Sequence, residues 1–245
     1  MPSLFRRAAL FVAASALLIS LGARDARAVS HKPFDKILRK YVRGGRVDYA
    51  GIKANAKKQL DAYVASVGKS KPGGSKKAKL AFYINAYNAT VIKAIVDRYP
   101  ISSVMKVKGF FDKVKHKIAG RMMTLNQLEN GVIRPTFKDA RVHFALVCGA
   151  RSCPPLMSRA FSAARVDKDL DRLTATFLKK NHHGVRIKGG DVHVSKLFQW
   201  YKKDFVANAG SVNKFITKYR RGVDAPKIAT STLKFLPYSW ALNKK

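Results

Sequence analysis

Residues 80–99, LAFYINAYNATVIKAIVDRY, limit what this chain can fold into more than any other stretch. Most positions before Lys93 are apolar, so a helix here is expected to be buried on most sides by the rest of the chain. Pro100 ends it, because a proline disfavours helical backbone at the residue before it. Within this helix Asn85 and Asn88 stand three residues apart, on one face. Asn is a poor helix-interior residue, and a buried amide without partners costs about 1–3 kcal/mol. Both therefore need specific partners. Either they pin neighbouring loops, or they line a site and help hold a substrate.

The segments around this helix read as short helices and hairpins. Pro33 to Val42 suits a helix with proline at its first position, and Ile52 to Val67 has helical apolar spacing ended by Gly68. Ser70 to Ser75 is a surface loop. Val114 to Met123 alternates and turns at Ala119–Gly120, which predicts a hairpin. Thr124 and Gln127 form a capping box that opens the helix LNQLENGVIRP, which is expected to stop at Pro135. Asp167 is placed to cap a helix running to about Asn181, and Gly189–Gly190 joins a second hairpin. Ser195 and Ser211 cap KLFQWYKKDFV and VNKFITKYR, and the aromatic tail Leu233 to Asn243 should dock on the core. With no regular βαβ alternation, the fold class is α+β: a mainly helical single domain with a small mixed or antiparallel sheet and short hairpins.

The expected domain is 29–245, because residues 1–28 read as a secretory signal. Arg6 and Arg7 precede an apolar run of about 14 residues, too short for the roughly 20 that span a bilayer. Ala26-Arg27-Ala28 then supplies a cleavage site, so the expectation is export, periplasmic or secreted, after cleavage near Ala28. The charge balance is extreme, with 49 Lys and Arg against 14 Asp and Glu and a net charge of +35. Such a field favours non-specific contact with polyanions or anionic surfaces. The basic residues are spread along the chain with no recognition helix or nucleic-acid fold signature, so no specific nucleic-acid partner is expected.

Chemistry-bearing residues gather in RVHFALVCGARSCPPL (141–156), which holds both cysteines and His143. Val142, Phe144 and Leu146 alternate, as in a short strand that feeds the Gly149–Ala150 turn and is closed by Pro154–Pro155. Three readings of Cys148 and Cys153 stay open. An even pair in an exported protein forms a disulfide, here one that rigidifies a short loop. A nucleophilic thiolate needs a base, His143 or His116, and an acid to orient it, Glu129. A metal site is disfavoured by the C-x4-C spacing and the lack of a fourth ligand. No metal or cofactor is expected.

Five motifs then occur in order: AFYINAYNA (81–89), LNQLENGVIRP, VHFALVCGARSCPPL, SKLFQWYKKDF and YSWALN. Together they resemble the bacterial and plant proteins grouped as the domain of unknown function numbered 547, over about residues 45–243. The resemblance supplies positions but no reaction. This chain departs from the family pattern at Tyr83, where Trp is usual, at Asn130, where His usually follows the Glu, and at Val147, where Asn is frequent.

Two function classes follow. The first is a thiol-dependent hydrolase or transferase acting on an unknown small molecule or peptide. In it Cys148 is the nucleophile, His143 the base and Glu129 the orienter, with Asn85, Asn88, Arg134, Ser152 and Cys153 around the substrate. The second is a non-catalytic, disulfide-braced binding module of the cell envelope with a cationic surface.

Overall fold

The mostly apolar helix is where the other segments bury their own apolar faces. A computed structural model describes residues 29–245, so the signal expected over 1–28 lies outside the described residues. The chain is mainly helical α+β, about half helix with small antiparallel and mixed sheets. Its first half is built from α1 (Lys32–Tyr41), β1 (Val42–Arg43), β2 (Arg46–Val47), α2 (Tyr49–Asn55), α3 (Lys57–Lys69) and α4 (Lys76–Val96). Ser75 caps α4 by accepting from the Ala78 N–H, which starts the helix before its apolar run. Helices α2 and α3 pack on α4, and α1 packs on α3. The sequence predicts one helix over 52–67. The backbone instead breaks at Ala56, between α2 and α3.

The second half holds the hairpin β3 (Lys115–Ile118)–β4 (Arg121–Thr124), with Ala119 and Gly120 both at positive φ in its turn, as the sequence predicted. Further along are α5 (Arg134–Phe137), α6 (Val166–Leu178), β5 (Val185–Lys188) and β6 (Asp191–Val194). The chain closes with α7 (Leu197–Trp200), α8 (Lys202–Ala209), α9 (Val212–Tyr219), α10 (Ala225–Thr230) and β7 (Leu233–Phe235). Strand β7 pairs in parallel with β6, making a small mixed sheet. Among the described residues no helix is long and apolar enough to cross a membrane.

Four local expectations are corrected. Residues 142–146 form no strand. Ala140–Phe144 is a 3-10 helix that Asp139 caps by accepting from the Arg141 N–H. The short apolar run fits either form, and among the described residues no strand pairs with it. The helix after the capping box does not stop at Pro135. Gln127–Ile133 is a π-helix, and Pro135 lies in the first turn of α5, where a missing N–H is tolerated. Asp167 is inside the first turn of α6 rather than at its cap, and it pairs with Lys77 at 2.7 Å and Arg141 at 3.1 Å. The helix expected after Ser195 breaks at Tyr201 into α7 and α8.

Candidate functional site

The two amides of α4 are settled by their bonding. Asn85 donates to the Phe161 carbonyl and accepts from the Phe161 N–H, both at 2.9 Å. Asn88 likewise donates to the Ala145 carbonyl and accepts from the Val147 N–H, both at 2.9 Å. Each side chain therefore completes a loop backbone, as a neighbouring strand would. Neither lines the cavity described below, so the role expected for Asn85 and Asn88 at a substrate is corrected to structural pinning. Ser152 is corrected in the same way. Its hydroxyl accepts from the Ser239 N–H, and its own N–H donates to the Ser239 carbonyl.

The Asn88 pin ends where the 3-10 helix delivers its polar residue to a cavity of about 300 Å³. His143 and Glu129 line this cavity, together with Cys148 and Cys153. Aromatic rings from distant segments share the wall: Tyr87 from α4, Trp200 and Tyr201 from the α7–α8 break, Tyr238 and Trp240 from the tail. Trp200, Tyr238 and Trp240 pack on one another with ring centroids 4.8–6.0 Å apart.

His143 has a fully buried side chain, and its ring stacks on Tyr201 at 3.8 Å. Its Nε2 lies 2.8 Å from Asp204 Oδ2, and because a carboxylate only accepts, Nε2 carries the hydrogen. Nδ1 is buried without a hydrogen-bond partner, 3.9 Å from Glu129 Oε1. Arg134 clamps the same carboxylate, its Nε donating to Oδ2 at 2.7 Å and its Nη2 to Oδ1 at 2.9 Å, and its guanidinium lies over the Tyr201 ring. The His143 ring first, and Arg134 with it, hold the Asp204 carboxyl far below the ordinary carboxylate range.

The π-helix places Glu129 here. Its wide turn puts Glu129 and its neighbour Asn130 on the same cavity wall, and such turns recur at functional sites. Burial, with the Glu129 charge beside them, raises Tyr87, Tyr201 and Tyr238 well above an ordinary phenol. These hydroxyls keep their protons at any physiological pH and can serve as hydrogen-bond donors. Asn130, where family sequences usually carry His, accepts from Arg134 and donates to Asn126, which ties it to the clamp.

Cys148 and Cys153 are joined as a disulfide, with Cα atoms 6.4 Å apart. The Tyr238 hydroxyl lies 3.4 and 3.3 Å from the two sulfurs, and the Cys148 N–H points at the Cys153 sulfur at 3.1 Å. Of the residues expected at the site, Glu129, His143, Cys148 and Cys153 converge, and Arg134 stands behind them. The other base considered, His116, sits on β3 and does not line the cavity. Asp204, Tyr201 and Tyr238 were missed. Asp204 and Tyr201 lie inside SKLFQWYKKDF, where an acid among lysines in a chain with few acids was the available signal.

Comparison with known proteins finds a family match over part of the chain. Residues 73–178 match the family described as Protein of unknown function, DUF547. The resemblance read from the motifs is thus borne out over that segment. The DUF547 match takes in α4, the π-helix, His143 and both cysteines, whereas Asp204, Tyr201 and Tyr238 lie beyond it. Neither the curated proteins nor the solved structures contain a match to this chain.

Proposed function

We propose that the aromatic cavity is the active site of a hydrolase or transferase for a small organic or peptide substrate, in an exported protein. The observation that carries this reading is the His143 imidazole, with Nε2 fixed by Asp204 and Nδ1 left open toward Glu129. A ring held by a carboxylate on one nitrogen and unclaimed on the other is arranged to move a proton. Asp204 rather than Glu129 is then the orienter, and Glu129 shares the acid–base work at the cavity. Arg134 positions Asp204 and does not touch substrate. Cys148 acts as a nucleophile only after a dithiol reductant has opened its bond to Cys153, leaving two thiols and an oxidised reductant. Export rests on the leader-like residues 1–28.

The disulfide itself supports a second reading, a braced binding module of the cell envelope in which the cavity captures a ligand without turnover. One experiment separates the two: hydrolysis of a panel of esters and peptides, with and without a dithiol. The enzyme reading expects turnover that falls by about 10²-fold or more in His143→Ala, the scale of a lost general base. Activation by the dithiol assigns the thiol-dependent form. No turnover under either condition, in protein that still binds an aromatic probe in the cavity, would leave the binding module.

A further inference from the structure

A second cavity, of about 90 Å³, lies behind the wall that Cys153 and Pro154 present to the aromatic cavity. Five polar residues line it from four places in the chain: Arg46 at the start of β2, Arg151 from the cysteine loop, Lys180 and His183 after α6, and Asn243 from the tail. Every one of them can donate a hydrogen bond, and no Asp or Glu lines the space. Arg134, Arg141, Arg159 and Arg220 each hold a carboxylate. Arg46, Arg151 and Lys180 form no ion pair among the described residues, so their charge stays available.

Two details make this more than a cationic surface. Asn243 is only 6% exposed, and its Oδ1 is already taken by the Tyr49 hydroxyl at 2.7 Å, so it has its amide N–H groups left to offer. His183 Nδ1 is buried without a partner. The rest of the lining is backbone and apolar surface: Gly44 and Gly45, Cys153, Pro154, Pro155 and Phe177. Gly45 has no room for a side chain, because an added Cβ would meet Pro155 at 2.3 Å. Charge facing such a floor is less screened than charge in open water.

We propose that this cavity binds a phosphate group. Cationic and neutral donors converging from several directions, with no acceptor among their charged members, match an anion whose oxygens all accept. The phosphate is either free or carried on a lipid headgroup, and both present the same oxygens to the site.

The test is calorimetric titration of the full chain with inorganic phosphate at about 0.15 M salt, where long-range surface attraction is largely screened. Saturable binding is expected to weaken about tenfold or more in Arg151→Ala/Lys180→Ala, the scale of one or two lost charge-assisted bonds. The charge-matched control Lys106→Ala/Lys108→Ala, on an exposed segment elsewhere, should bind like the parent. Phosphate should also raise the melting temperature of the parent and of the control, but not of the site variant. Absence of saturable binding by the parent, or an equal loss in the control, would overturn the site. Vesicles containing phosphatidylglycerol separate the sources. Competition with inorganic phosphate assigns a headgroup, its absence assigns a free phosphate, and either supports the site once the titration has succeeded.

Discussion

Asn85 and Asn88 are as deeply buried as His143, yet the two sets of polar groups are treated in opposite ways. Each amide of α4 both donates to and accepts from one loop backbone, so its burial leaves nothing open. His143 keeps one nitrogen unclaimed, and Glu129 faces a cavity instead of a cation. Satisfied burial fixes a fold, whereas incompletely satisfied burial costs stability and is retained where chemistry uses it. The pins also support the open set, since Asn88 holds Ala145 and Val147, on either side of Leu146 in the cavity wall.

The largest expected effect tests the satisfied side. Asn88→Ala orphans a buried carbonyl and a buried N–H together and should lower stability by about 2–4 kcal/mol, read in a denaturant melt. A melt unchanged within error would remove the amides from the structural set. Reducing the disulfide should cost about 2 kcal/mol, since a loop this short restricts the unfolded chain little. That loss is measured by thermal melts with and without a dithiol, using Cys148→Ser/Cys153→Ser as the reference that must not respond. A much larger loss would make the cysteine loop a fold determinant like the amides.

The smallest effect probes the open side through acid. Asp204 has a folded pKa below its ordinary 3.8, so the stability it contributes is fully present above that value and is lost as pH falls further. Asp204→Asn should therefore lose less stability than the parent between about pH 4 and pH 2. Parallel acid profiles for the two proteins would show that the His143 and Arg134 contacts do not hold the carboxylate.

Much of this arrangement was legible locally. The capping box forms as read, with Thr124 N–H donating to Gln127 and Gln127 N–H donating to Thr124. The glycine turns, the need of the two asparagines for partners and the convergence of Glu129, His143 and the cysteines also followed from residue chemistry. What stayed hidden depends on distance along the chain. Asp204 lies 61 positions from the histidine it holds, and no periodicity links them. The 3-10 turn was misread because Val142, Phe144 and Leu146 satisfy a strand pattern, while tertiary packing decided the backbone. The π-helix escaped because it differs from an α-helix only in one extra residue per turn, which capping signals do not encode.

The tail has a consequence for the order in which the protein assembles. Tyr238, Ser239 and Ala241 bond to the cysteine loop from 85 to 90 positions downstream. The two cysteines are five positions apart and emerge together during synthesis, long before those residues exist. For that interval their sulfurs have no tyrosine over them and remain open to oxidants and reductants. Only when the tail docks does the Tyr238 hydroxyl come to lie against both sulfurs.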